Sequence, residues 1–407
     1  MTMERKTTNE RVLDRIKENE LVELSRALVK IPSPTGQEKA VSDFVVSHMR
    51  DLKMDAQGVE GEKDRPNAVG TWKGVEGSKT IMFSGHMDTV GPGDPAKWRT
   101  DPFGGEVIDG KIYGRGAMDS KGGGIASTLV ALKAIMDEGL ELKNNITVVG
   151  TVDEEVGGRL GMRYVIENEF VKPDMCIYCV HSDMEIKAYF KGVLWAKVTV
   201  RGTTAHGSTP EDGVNAITRA ATIMTELEKR GMTYDPHPIL GHATRNFGWI
   251  HGQEANDERV RYNVVADLCE FGIDNRLVIG QTPQGVYDEI MEVINDLSRD
   301  DPDLDASVEI IMQDNPASVS EEEPILKIVK RAATEVMGKS PVIGGTIAAG
   351  DLAPIFKKGL VGVGFGPGDL KRGNAHKENE FIEIDQLVMA SKAYALMMLD
   401  AGEMVDS

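Results

Sequence analysis

Three short apolar runs, KTIMFSG (79–85), NITVVGTV (145–152) and MCIYCV (175–180), lie between stretches of helical spacing at 122–138 and 158–168. Runs of this length without polar alternation fit strands buried on both faces, and buried strands alternating with helices imply a largely parallel sheet covered by helices. The runs are followed or separated by glycine-flanked polar clusters: SGHMDTV, GRGAMDSKGG and TVDEEVGG. Ligands gather at the carboxyl ends of strands in such sheets. His86, after one run, and Glu154 and Glu155, after another, are therefore expected at the same edge.

Amphipathic stretches open the chain. One helix is expected over about residues 9–30, with Leu13, Ile16, Leu21, Leu24 and Leu28 on its apolar face, and a second after PSPTGQE with Val41, Phe44, Val45, Met49 and Leu52. Ser33 or Thr35, ahead of Glu38, supplies a start signal for the second.

The pattern changes near residue 190. VLWAKVTVRG and RYNVVADLCEFGIDNR alternate as strands with one exposed face, 213–230 and 282–299 read as helices, and SVEIIM as a further strand. This β-α-β-β-α-β order suggests an inserted α+β domain. After QDNPASVSEEEP, a helix at 323–338, the run LVGVGF and a helix at 385–400 resume the α/β pattern. The expected domains are 1–189 and 313–407, forming one catalytic body, with 190–312 inserted between them.

A chain of 407 residues exceeds one ordinary core, in line with two domains. Its net charge of −19 opposes a polyanionic nucleic acid or an anionic membrane as partner. The polar N-terminal stretch and the lack of any run of about 18 apolar residues support neither export nor membrane spanning. Three cysteines, an odd number, fit a reducing, cytoplasmic setting. Cys176 and Cys179 form a C-x-x-C inside an apolar run without turn residues, and read as structural.

The polar clusters carry the chemistry. In extended backbone, residues two apart point the same way, so Asp88 can stand beside the imidazole of His86 and set its orientation for a metal. Asp119, between Gly116 and KGGG, is a carboxylate where glycines admit close approach; it could bridge metals, or cap the following helix. Glu154 and Glu155, if extended, face different ways, so that one could ligate while the other handles protons. A solvated acidic turn is the plainer alternative for this pair.

The ordered set HxD, G-x-G-x-x-D-x-K-G-G, D-E-E-x-G-G and A-H-x-x-N-E resembles the M20 family of co-catalytic metallohydrolases, over most of the chain. That family includes acetylornithine deacetylase, succinyl-diaminopimelate desuccinylase, aminoacylases and carboxypeptidase-like peptidases. The resemblance implies a zinc-peptidase-like catalytic domain with a ferredoxin-like lid and dimerisation domain. Asp119 matches the bridging ligand, His86 a ligand of one metal, and Glu155 and His376 ligands of the other. Glu154 matches the general base and Asp88 the acid behind His86. Where the family carries a last carboxylate, this chain has Val180, followed by His181, Ser182 and Asp183. His181 is the foremost substitute and Asp183 the next; with neither, a single tightly held ion is expected.

His206 matches a residue that reaches a partner's active site in dimers. Arg276 and Asn263 match substrate-binding positions, and the glycines of GGTIAAGD, Gly345 among them, and of FGPGD match active-site loops. The resemblance therefore implies two divalent ions, zinc first with manganese or cobalt as alternatives, and a homodimer formed through the lid. The implied reaction cleaves an amide C–N bond of an N-acyl amino acid or small peptide, a small-molecule substrate carrying a carboxylate. A carbamoyl, amidine or aryl-amine C–N bond is the alternative, and a non-catalytic binding relative a third reading.

Overall fold

The computed structural model describes residues 3–253, 262–347 and 350–402. The chain forms two compact units. One comprises Met1–Ala188, Val319–Gly344 and Gly350–Ser407, the other Tyr189–Ser318 with Gly345–Ala349.

The sheet of the first unit runs Asp55–Glu60, Pro66–Trp72, Asn145–Thr151, Thr80–His86, Met175–Tyr178, Val361–Gly364 and then Ile186–Phe190. Its four central strands are mutually parallel, and antiparallel strands flank them on both sides. The apolar runs occupy the centre because both faces are covered: Ile81, Met82, Phe83, Val149, Cys176 and Ile177 are fully buried. Helices Ala126–Asp137, Pro324–Met337 and Ile384–Gly402 pack in this unit. Cys176 and Cys179 are buried free thiols. Burial pushes the Cys179 thiol up to about 12.

Three local expectations are corrected. The single helix over 9–30 is two helices, Met3–Arg15 and Glu18–Val29, divided at Lys17, whose backbone is extended. Neither Ser33 nor Thr35 caps the next helix, Lys39–Asp51, which starts at Glu38 without a side-chain cap. Those hydroxyls reach across the fold instead: Ser33 donates to the Met87 carbonyl at 2.7 Å and Thr35 to Asp88 Oδ2 at 2.9 Å. Third, the helix expected from residue 122 begins as a π-turn, Lys121–Ile125, that runs into Ala126–Asp137.

The second unit holds a four-stranded antiparallel sheet in the order Thr244–Gln253, Leu268–Leu277, Gly192–Arg201, Asp305–Asp314. Helices Ala216–Arg230 and Pro283–Asp300 share its core, with Leu194, Val198, Ile223, Phe271, Ile290 and Val293 buried among them. Both helices start as their sequences direct. Asn215 accepts from the amides of Ile217 and Thr218, and Thr282, ahead of Pro283, accepts from Gly285. The strand expected to start at 261 begins at Leu268, and Arg261 lies outside the described residues. Among the described residues, no helix is long and apolar enough to cross a membrane.

Candidate metal centre

Three adjacent parallel strands deliver the polar residues to one edge. His86 ends its strand and pairs with Thr151, so the chain turns just beyond that pair and places Glu154 and Glu155 close by. Ser84 pairs with Tyr178 on the other side, bringing His181 to the same edge three residues later. Glu154 and Glu155 are not extended as expected: they lie in a 3-10 turn, Glu154–Val156, entered through Asp153 in left-handed backbone (φ 70°).

Asp119 is the hub. It is 4% exposed, with His86 Nε2 2.8 Å and His181 Nδ1 3.0 Å from its Oδ1. His376 Nε2 lies 3.2 Å from its Oδ2 and 3.2 Å from Glu155 Oε2. Asp119, Glu155 and His376 each present a donor atom within 4.8 Å of the others. His86 Nδ1 lies 2.9 Å from the Asp88 carbonyl, which can only accept, so Nδ1 carries the proton in that bond. In neutral His86 the bare Nε2 then faces a carboxylate oxygen, acceptor against acceptor. His181 Nδ1 is buried and close to Asp119 but aligned for no hydrogen bond. Only a proton or a cation reconciles such contacts, and imidazole nitrogens with carboxylate oxygens are the donors that zinc-type divalent ions take. The residues fit a metal.

The electrostatics agree. With protein charges alone, burial opposes ionisation of Asp119, yet His181 and His86 hold its carboxyl well below the usual range. Burial likewise opposes charge on His86, but Asp119 outweighs it and raises the imidazole well above its ordinary value. His376 is raised to about 10 by its bonds to Asp119 and Glu155. Glu154 goes the other way. Burial, with Asp351, Asp119 and Glu155 nearby, lifts its carboxyl to about 8 against the pull of His86.

Residues that the motifs do not reveal hold this arrangement. Tyr178 Oη donates to Glu154 Oε1 at 3.3 Å. A side chain at Gly350 would meet the same Glu154 oxygen, its Cβ only 2.8 Å away. Asp351, buried and hydrogen-bonded by the Thr151 hydroxyl, is raised by burial to about 6. Asp88 differs in part from expectation. Its backbone carbonyl orients His86, while its carboxylate, 3.7 Å from the ring at Oδ1, accepts from the amides of Glu154 (3.1 Å) and Glu155 (3.2 Å). Arg65 bridges Glu38 and Asp153, bracing the same turn.

A buried ion pair braces the other side. Arg115 Nη1 lies 2.6 Å from Glu380 Oε2, and Glu380 Oε1 accepts from the amides of Met118 (3.1 Å) and Asp119 (3.2 Å). Arg115 Nη2 donates to the carbonyl of Lys377, next to His376. Lys121 is buried and donates to the Ile31 carbonyl and Ser33 Oγ; burial lowers its ammonium to about 7. Asp119 itself caps no helix, since Ser120 stands before the π-turn.

The remaining candidates divide. Asp183 is engaged by Arg372 and by Gln386, whose Nε2 donates at 2.7 Å, so of the two substitutes only His181 faces Asp119. In the second unit, exposed His206 bonds Ser208 through Nδ1 at 2.7 Å, and the Asn263 carbonyl accepts from the neighbouring Gly207 amide. Arg276 pairs with Asp274 at 2.8 Å. Gly345 lies in strand Ile343–Thr346, where an added Cβ would come 2.6 Å from Leu240. Ala348 and Ala349 of the GGTIAAGD loop lie outside the described residues.

Residues 82–400 match peptidase family M20/M25/M40. The uncharacterized Escherichia coli protein YgeY is 30% identical over 385 residues, 92% of each chain. Acetylornithine deacetylase of Myxococcus xanthus is 30% identical over 350 residues, 84% of each chain. The crystal structure of an M20 family metallo-carboxypeptidase from Sulfolobus solfataricus superposes with a TM-score of 0.78 at 20% identity, covering 95% of this chain and all of that one. With a match spanning most of its length, this chain belongs to peptidase family M20/M25/M40 and is a metal-dependent hydrolase of C–N bonds.

Proposed function

We propose that the chain hydrolyses the amide bond of an N-acyl amino acid or small peptide, with Glu154 as general base. One observation carries this reading: Glu154 stands half-buried beside the Asp119 cluster, held through one oxygen by Tyr178, with a proton affinity raised to about 8. A base beside the ligands, not among them, is what a hydrolase needs and a binding protein does not. Two divalent ions, zinc first with manganese or cobalt as alternatives, would be held by His86, His181 and Asp119 on one side and Asp119, Glu155 and His376 on the other. Such a pair, when bound, lowers the pKa of a water and polarises a carbonyl.

The chain's own residues supply the rest. Glu154 takes a proton from the attacking water and hands it to the leaving amine, and a base poised near neutrality serves both steps. Tyr178 keeps one Glu154 oxygen occupied, leaving the other for the transfer. Asp88 fixes the Glu154–Glu155 turn through two amides, and its carbonyl fixes the His86 tautomer. Arg276, Asn263 and Gly345 bind the substrate's carboxylate end, Arg276 by its planar fork once Asp274 is displaced. His206 donates to the oxyanion from the neighbouring subunit of a homodimer. The outer strand Thr244–Gln253, with Trp249 48% exposed, supports a dimer built through this unit. Buried free thiols are in keeping with a cytoplasmic enzyme. His181 at the place of a carboxylate favours a second reading, a non-peptide C–N bond such as a carbamoyl group.

A panel of N-acyl amino acids, dipeptides and carbamoyl amino acids, assayed with zinc, manganese or cobalt, separates the two readings. On the best substrate, Glu154→Gln is expected to lower kcat by about 10²–10⁴ with metal content unchanged. Full turnover by that variant overturns the assignment of the base.

A further inference from the structure

The two oxygens of Asp119 face different partners. Oδ1 faces two imidazoles, His86 Nε2 at 2.8 Å and His181 Nδ1 at 3.0 Å. Oδ2 faces His376 Nε2 at 3.2 Å, and that ring lies equally close to Glu155 Oε2. One subsite thus has two nitrogens and one shared carboxylate, the other one nitrogen and two carboxylates. The acid that could have balanced them, Asp183, is tied to Arg372 and Gln386. The subsites also differ in access: the His86 and His181 side chains are 2% and 14% exposed, that of His376 50%.

We infer that the centre is chemically unequal. The pocket of His86, His181 and Asp119 Oδ1 selects a nitrogen-preferring ion such as zinc, cobalt or nickel. The pocket of Asp119 Oδ2, Glu155 and His376 also accepts an oxygen-preferring ion such as manganese. His181 decides this difference. Affinity at a given donor set rises from manganese through cobalt and nickel, and imidazole suits the later ions whereas carboxylate suits manganese. An imidazole in place of a carboxylate also removes one negative charge from the field that holds a dication. That loss falls on every dication alike, but cobalt and nickel recover it through the added nitrogen donor and manganese does not. The inference rests on the two-metal reading proposed above.

The test uses full-length protein stripped with chelator and titrated separately with Mn²⁺, followed by loss of the free-ion EPR signal, and with Co²⁺, followed by visible absorption. Wild type is expected to bind two Co²⁺ per chain but only one Mn²⁺ well. The second Mn²⁺ should be weaker by at least about tenfold, the lower end of what losing a supporting group costs a metal site. His181→Glu should bring the two Mn²⁺ affinities together. His181→Asn should weaken one Co²⁺ by more than about 100-fold, beyond the usual effect of a group outside the ligand set, and leave the single Mn²⁺ in place. Two Mn²⁺ of equal affinity in wild type, or either variant titrating like wild type, overturns the inference but leaves two-metal binding standing. Failure of wild type to bind a second ion of either kind overturns both.

Discussion

At the scale of single residues, the charges around Asp119 make a testable pH signature. His376 is raised from 6.5 to about 10 by Asp119 and Glu155. A group raised on folding contributes stability that is fully present below its unfolded value and fades as pH climbs through the folded one. In chelator, wild type should therefore exceed His376→Gln in denaturation midpoint at pH 6, and the gap should close between about pH 6.5 and 10. A gap that widens over that range contradicts the pairing. Half the His376 side chain is exposed, so solvent screening keeps the effect modest. Glu380 is a stronger lever. It is fully buried, holds Arg115 and receives the Asp119 amide. Glu380→Gln strands a buried guanidinium, with an expected stability loss of about 3–5 kcal/mol in urea denaturation. Metal affinity should fall about 10–100-fold by competition with a chromophoric chelator, because the ion pair holds the Asp119 amide and the Lys377 carbonyl next to His376.

At the scale of elements, the π-turn Lys121–Ile125 brings a helix start against the end of a central strand. A Cβ on Gly124 would come 1.9 Å from the Cys179 carbonyl, and one on Gly122 2.7 Å from that of Ala117. Backbone gives way less readily than a flexible side chain, so Gly124→Ala is expected to cost about 3 kcal/mol or more. Reduced soluble yield and a lowered urea midpoint would report it; a midpoint equal to wild type would show that the turn relaxes freely. The buried strands were legible because a run covered on both faces needs apolar residues throughout. Strand Thr244–Gln253 was not, since its TRNFGWIHGQ sequence sits at a sheet edge, largely exposed, and carries no period-two signal. The break at Lys17 likewise has no glycine or proline to announce it.

At the scale of the whole molecule, two compact units come from a chain that leaves the first at Tyr189, returns at Val319 and revisits the second only over Gly345–Ala349. The proposed dimer makes a prediction here. Replacing Trp249 and Ile250 by lysine on the outer strand places charge on an exposed apolar edge, and light scattering should then show monomer with an unchanged circular dichroism spectrum. Turnover should fall with dissociation if His206 acts across the dimer. A monomeric variant with full activity excludes that role.

The sequence by itself determined the parallel core and singled out the side chains that gather around Asp119. His86, Asp119, Glu154 and Glu155 each lie within a few residues of a strand or turn that displays them, so local pattern marked them as candidates, while their roles came only from the family resemblance. His376, 257 positions beyond Asp119 in number, was recognised only through its motif. Tertiary structure alone decided how those residues are held. Arg115 and Glu380 are 265 residues apart, Thr35 and Asp88 are 53 apart, and Asp351 meets Thr151 across 200. It also decided that His181, not Asp183, faces Asp119, because Asp183 is captured by side chains from the far end of the chain. Pairing at such separation depends on where the sheet brings its strand ends together, and no local pattern encodes that meeting.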